Sequence, residues 1–242
     1  KVYWMEDEDK IGAYGPMSGL YYMGGAKMFR GGAIVARPGS ASRRRGKERE
    51  WTKCLVKIGC PILLTISGNG ISEVVFLPIA EDVLVTQISS ACNQDGIDQC
   101  LPVLERAGVK EIHIAYGTTI LDSWETGGEF HIDMVLGIVN HRLAVVYPAQ
   151  LDYGTYAFLK SKGFTLIEIP PDEQRQYLPA NLVLLEPGRV IMPKGAQKTI
   201  AAVRSHGVEI IEFDNSGLLQ GGGGIHCVVM DLVRDPGPSL DE

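Results

Sequence analysis

The chain has 242 residues, 45% apolar and 21% charged, with a formal net charge of −6. That is the profile of an ordinary globular protein, and the negative balance argues against a nucleic-acid surface, which needs clustered Lys and Arg. No apolar run approaches the roughly 20 residues of a membrane span, and the five cysteines form no CxxC pair, which argues against a disulfide framework or a zinc ribbon and fits a reducing, cytoplasmic setting.

The chain opens on an acidic stretch, KVYWMEDEDK, without the basic and apolar segments of a signal peptide. It begins without Met, as a chain lacking some leading residues would. The first recognisable unit is GGAIVARPG, then a basic helix from about Ser42 to Ile58, Gly59, and the strand CPILLTI. Arg43, Arg44, Arg45, Lys47 and Arg49 alternate with Glu48 and Glu50, which predicts a solvated helix face.

Three fuller units follow. The first joins SEVVFLPIAEDVLVTQ to GIDQCLPVLERAGVKEIHIAY. The next joins FHIDMVLGIVNHRLAVVYP to YGTYAFLKSKGFTLIEIP, and the third joins ANLVLLEPGRVIMPK to AQKTIAAVRSHGVEIIEFD. Each reads strand, turn, strand, amphipathic helix, Gly, strand. Gly108, Gly163 and Gly207 stand where a left-handed helix cap is expected. The last unit is GGGGIHCVVMDLVRD, which needs strands from the N-terminus to complete it.

About five ββαβ units at a period of roughly 45–55 residues predict a repeat architecture. One such unit cannot bury its own apolar face. Five around an axis can, leaving a central cavity where the first strands meet. No linker breaks the pattern, so residues 1–242 are read as one α/β domain, a five-bladed pseudo-symmetric propeller.

Two motifs stand at equivalent places in their units. His131-Ile132-Asp133 opens one, and Gly221 to Gly224 followed by Ile225-His226-Cys227 opens the last. On a strand, His131 and Asp133 share a face and can meet Cys227 across the cavity. A thiolate is the nucleophile, so Cys227 needs a nearby His to lower its pKa or carry protons. A carboxylate can orient that His, and glycines such as Gly223 and Gly224 admit close backbone approach and N–H donors. A phosphate loop is disfavoured because no Lys-Ser/Thr follows the glycines. Zinc is disfavoured because no second Cys/His pair has ligand spacing.

The segments FHIDMVLGIVNHRLAVVYP and GGGGIHCVVMDLVRD, with RGGAIVARPGS near the front, resemble the amidinotransferase superfamily of guanidino-modifying enzymes, which includes the arginine deiminases. The resemblance covers nearly the whole chain and implies the pentein fold, a five-bladed α/β-propeller. It also implies Cys227 as nucleophile, His131 as general acid/base, and Asp133 in contact with the substrate or His131. No cofactor or metal is implied.

Two departures bear on the substrate. Where the family has an E-G-G/A-D motif, this chain reads Ser72-Glu73-Val74-Val75-Phe76, which keeps the Glu and puts Phe76 at the Asp position. The family's R-D-P-like segment is replaced by Met23-Gly24-Gly25-Ala26. A guanidinium left without carboxylates in a dry pocket costs several kcal/mol. The expected substrate is therefore a small, neutral, planar compound with an amidine-like carbon, such as 2-nitroimidazole, whose hydrolysis releases nitrite. Glu73, Asn69 and Phe76 are the expected substrate contacts, with Gly223 and Gly224. The alternatives are hydrolysis of a guanidino substrate, with Asp122, Glu125 or Glu129 supplying charge, and a non-catalytic binding protein of the same fold. The expected partner is a small molecule, not nucleic acid or membrane; a homo-oligomer is compatible with the sequence.

Overall fold

Four times among the described residues two apolar strands pair antiparallel through a short connection, and a helix then returns the chain to a third strand parallel to the second. The computed structural model describes residues 11–12, 15–16, 24–39, 45–117 and 130–240. A short ladder pairs β1 (Ile11–Gly12) with β2 (Gly15–Pro16). Unit one comprises β3 (Ala26–Phe29), β4 (Gly32–Val35), α1 (Lys47–Lys57) and β5 (Ile62–Thr65). Unit two comprises β6 (Leu77–Pro78), β7 (Val83–Ile88), α2 (Gln94–Arg106) and β8 (Glu111–Tyr116). Unit three comprises β9 (Leu136–Asn140), β10 (Leu143–Val146), α3 (Tyr153–Ser161) and β11 (Thr165–Glu168). After the connecting α4 (Pro171–Tyr177), unit four comprises β12 (Val183–Glu186), β13 (Arg189–Pro193), α5 (Gln197–Ser205) and β14 (Glu209–Phe213).

Every unit has the same three-stranded sheet, with the middle strand antiparallel to the first and parallel to the third. Connection length dictates this: a short turn permits only antiparallel pairing, whereas a helical crossover allows a parallel return. The glycines predicted to end the helices do adopt positive φ, at +98° for Gly108, +80° for Gly163 and +78° for Gly207.

Cores form mainly between units, as the repeat argument requires. Ile34 and Ala36 of unit one pack with Phe76, Leu84 and Leu104 of unit two. Val83 and Val85 of unit two share a core with Leu136, Leu159 and Phe164 of unit three. Val139 and Val145 of unit three pack with Val190, Met192 and Val203 of unit four. In unit one, Gly25 lies so close to Trp51 that an added Cβ would sit 1.7 Å from its Cδ1.

The last unit differs from expectation. Residues 215–240 contain α6 (Ser216–Leu219) and a 3₁₀ turn at His226–Val228, and form no strand. The segment instead bridges the ends of the array. Asn215 Nδ2 donates to Tyr177 O at 3.1 Å, and Met230 packs on the Trp51 cluster. Glu81 N donates to Pro238 O at 3.2 Å, and Arg142 to Leu240 O. Cys227 is therefore on a turn, not a strand.

His131 likewise is an extended residue before a 3₁₀ turn at Ile132–Met134, so strand alternation does not govern how it and Asp133 point. The basic helix starts at Lys47, later than expected. Lys47 is buried while Arg49 is exposed, so the solvated-face reading fails at Lys47. Met23, Arg43, Arg44, Asp122, Glu125 and Glu129 lie outside the described residues. Among the described residues no helix is long and apolar enough to cross a membrane.

Candidate active site

The His131-Ile132-Asp133 turn is held by buried amides from other elements. Gln87, at the end of β7, donates through Nε2 to Phe130 O at 2.5 Å and accepts from Ile132 N–H through Oε1. Its two amide atoms thus bracket His131 on both sides. Ser89 Oγ also donates to Phe130 O, at 3.0 Å. From α4, Gln174 Nε2 donates to Met134 O at 3.0 Å. Asn181 Nδ2 donates to the Asp133 backbone at 3.4 Å. Because the turn lacks ladder hydrogen bonds, these side chains satisfy its buried peptide groups.

Glu73 comes from the connection between units one and two. It is 2% exposed, and its Oε2 lies 3.3 Å from His131 Nε2. The next residue, Val74, has φ of +51°. A β-branched residue there is a genuine outlier, and such conformations store on the order of 1–3 kcal/mol. Val74 N–H donates to Ser72 Oγ at 2.9 Å, and Phe76 N–H to Val74 O at 3.0 Å. This tight turn aims Glu73 at His131. Gly24 lies against the same carboxylate, since an added Cβ would be 3.3 Å from Glu73 Oε2.

Asp133 has a different partner. Its Oδ2 lies 2.6 Å from His226 Nδ1 and accepts from Asn181 Nδ2 at 3.0 Å. Burial pushes this carboxyl up. The His226 hydrogen bond and the charges of His226, His131 and Lys27 outweigh that and hold it below the ordinary Asp value. Asp133 is then ionised near neutrality and can only accept, so Nδ1 of His226 carries the shared proton.

The same asparagine reaches the thiol. Asn181 Oδ1 accepts from His226 N–H at 3.0 Å and lies 3.5 Å from Cys227 Sγ. Asn181 is fully buried. An added Cβ at Gly224 would lie 2.5 Å from its Oδ1, so the glycine is required by this close approach. Two His–carboxylate pairs therefore involve the H-x-D turn, Glu73–His131 and Asp133–His226, and Asn181 ties the second to Cys227.

The remaining expected contacts divide. Gly223 and Gly224 are buried just before the His226–Val228 turn. Asn69 is exposed on a surface turn, where its backbone oxygen accepts from Asn93 Nδ2 at 2.9 Å; the structure does not bring it to the cluster. Phe76 is 1% exposed and packs edge-on against Phe29, with ring centroids 5.9 Å apart. It is a core residue between units one and two, because the Val74 turn directs it inward. Burial pushes the Cys100 thiol up to about 12 and raises those of Cys54, Cys60 and Cys92, as expected of inert cysteines. Among the described residues no group of three or more His, Cys, Asp or Glu side chains is arranged to hold a metal ion.

The chain is similar to several known proteins. The arginine deiminase family model matches residues 137–234, a span that includes Cys227. A 2-nitroimidazole nitrohydrolase from Mycobacterium sp. (strain JS330) is 33% identical over 247 residues, covering 99% of this chain and 65% of the relative. The structure of dimethylarginine dimethylaminohydrolase from Pseudomonas aeruginosa, complexed with citrulline, superposes with a TM-score of 0.67 at 23% identity, covering 84% of this chain and 72% of that one. The N-terminal domain of a cyanobacterial arginine dihydrolase, bound to product, gives a TM-score of 0.75 at 13% identity, covering 88% and 75%. The chain is thus similar in sequence to the arginine deiminase family over residues 137–234 and to the nitrohydrolase over nearly its whole length, and it shares the fold of these solved structures. It spans somewhat less than two thirds of the length of its nitrohydrolase relative.

In this structure a cavity opens where first strands meet. It is lined by Leu77 of β6, Leu136 of β9 and Leu184 of β12, with Asp133, His226 and Arg234. Lys27 of β3 approaches Asp231 at 3.9 Å, and Arg234 Nε lies 2.9 Å from the same carboxylate oxygen. Burial and Arg234 lower the Lys27 pKa, against the opposing pull of Asp231 and Asp133. The sequence motifs do not mark Gln87, Gln174, Asn181 or Lys27. A polar residue inside an otherwise apolar stretch, as Gln87 is at the end of VLVTQ, was the one available signal.

Proposed function

We propose that this protein is a cysteine-dependent hydrolase acting on a small planar substrate whose reacting carbon lies between two nitrogens. Cys227 adds as thiolate to that carbon, and the leaving group departs with its bonding electrons. Water then attacks the Cys–S–C intermediate, the C–S bond breaks, and the thiolate returns. His131, oriented by Glu73, moves protons in this scheme.

The observation that carries the reading is that the H-x-D turn, which sets His131 beside Glu73 and Asp133 beside His226, is tied through Asp133 and Asn181 to the turn that bears Cys227. It also favours a neutral ligand. Both carboxylates already face imidazoles, so neither is left as an undivided counter-ion for a guanidinium. Asp133 Oδ1 is buried with no hydrogen-bond partner among the described residues. A buried acceptor of this kind calls for a donor, and a ring N–H of the substrate supplies one. 2-Nitroimidazole, with nitrite as leaving group, has both features, and the nitrohydrolase relative carries that substrate in its name.

Hydrolysis of a guanidino substrate is the second reading, favoured by the arginine deiminase match over the Cys227 segment. A panel of 2-nitroimidazole, arginine, agmatine and dimethylarginine separates the two, with nitrite, ammonia and citrulline or ornithine followed. Nitrite from the heterocycle supports the first reading. Ammonia from arginine without nitrite overturns it. Unchanged turnover after exhaustive chelation is expected.

A further inference from the structure

We infer that His226 is a second proton-transferring residue, the base that takes the proton from the hydrolytic water, and that Asp133 and Asn181 are its positioning residues. The inference rests on the hydrolase reading above. His226 directly precedes Cys227, so the two share one 3₁₀ turn. Its Nδ1 lies 2.6 Å from Asp133 Oδ2. Its backbone N–H is held at 3.0 Å by Asn181 Oδ1, the atom that also faces the Cys227 thiol. Ring and peptide are therefore fixed by two buried side chains that are themselves bonded to each other.

This geometry leaves one nitrogen for chemistry. With Nδ1–H donated to a carboxylate, a neutral His226 presents its lone pair on Nε2. Nε2 makes no hydrogen bond among the described residues. The ring is 30% exposed and lines the axial cavity with Asp133. His131 is less exposed, at 13%, and faces Glu73 through Nε2. Of the two imidazoles, His226 is thus the more exposed, and its Nε2 is the nitrogen its carboxylate leaves free. A buried anion on the far nitrogen stabilises the imidazolium that forms when Nε2 gains a proton.

The step balances. Water gives its proton to Nε2 as its oxygen bonds to the carbon of the Cys–S–C intermediate. The C–S electrons return to sulfur, and the product leaves bearing the new oxygen. The imidazolium then releases its proton to solvent, which restores the base.

The discriminating variant is His226→Asn, whose amide can still donate toward Asp133 but cannot carry the proton. His226→Gln serves beside it, and His226→Ala is assayed with and without added imidazole. With 2-nitroimidazole, wild type is expected to turn over continuously. In the variants, a burst of nitrite matching the enzyme concentration should precede a steady state slower by about 10²-fold or more. The Cys227 adduct should accumulate and be visible by intact-mass spectrometry, and imidazole should raise the steady-state rate of His226→Ala. A steady-state rate within about threefold of wild type in His226→Asn and His226→Gln, with no adduct, overturns the role of His226 and leaves the hydrolase reading standing. A folded wild type that turns over no member of the substrate panel overturns both.

Discussion

His226 Nδ1 stands 2.6 Å from Asp133 Oδ2, and the two residues are 93 positions apart in the chain. The pair joins the H-x-D turn of unit three to the turn that carries Cys227. It also removes Asp133 from the role of orienting His131, which falls to Glu73 at 3.3 Å. Each histidine at the site thus has its own carboxylate.

The Asp133 carboxyl is held below its ordinary value in the folded protein, so the unfolded chain binds more protons across the interval between the two values. Its contribution to stability is full above the unfolded value, about pH 4, and is lost as pH falls through the folded value. Asp133→Asn should destabilise by about 2 kcal/mol at pH 7, the scale of a hydrogen bond to a charged group. The gap to wild type should shrink below pH 4. Urea titrations of both proteins from pH 3 to 7 measure this; a gap independent of pH contradicts the assignment.

Gln87 satisfies the peptide groups on both sides of His131. Gln87→Met should leave Ile132 N–H and part of the demand at Phe130 O unmet, costing about 2–4 kcal/mol. The urea midpoint should fall with an unchanged slope.

How much of this could be read in advance follows from the kind of interaction involved. The repeats were legible because strand alternation, helix periodicity and the glycines at 108, 163 and 207 are local signals. His131, Asp133, Glu73 and Cys227 were legible as a chemical set. Which histidine meets which acid was not, because Glu73–His131 and Asp133–His226 are decided by how distant units pack. Asn181 and Gln174 were missed because an amide at the edge of an element reads like any solvated polar residue until burial is known. The strand expected at Cys227 failed because its apolar residues turn elsewhere, Met230 to the Trp51 cluster.

Gly224 leaves no room for a side chain beside Asn181 Oδ1. Gly224→Ala should push the amide from its position between Cys227 and Asp133 and lower kcat by on the order of 10²-fold, the scale of a misplacement of about 1 Å. Far-UV circular dichroism should be unchanged. Wild-type kcat in this variant would show that the Asn181 contacts do not matter to turnover.

Glu73→Gln keeps the side-chain shape beside His131 but removes its charge. Turnover should fall by about 10²-fold or more, with KM changing much less, since the residue acts on the proton carrier and not on ground-state binding. A rise in KM at constant kcat would make Glu73 a substrate-binding group instead.

The most direct test of the account is covalent trapping on Cys227. Wild type and Cys227→Ser, each mixed with 2-nitroimidazole and quenched, are digested and mapped by mass spectrometry while nitrite is counted. The account predicts, in wild type quenched during turnover, a substoichiometric adduct on Cys227 and on no other cysteine, smaller than in the His226 variants, with nitrite release and adduct both absent in Cys227→Ser. Nitrite release at the wild-type rate from Cys227→Ser would contradict it.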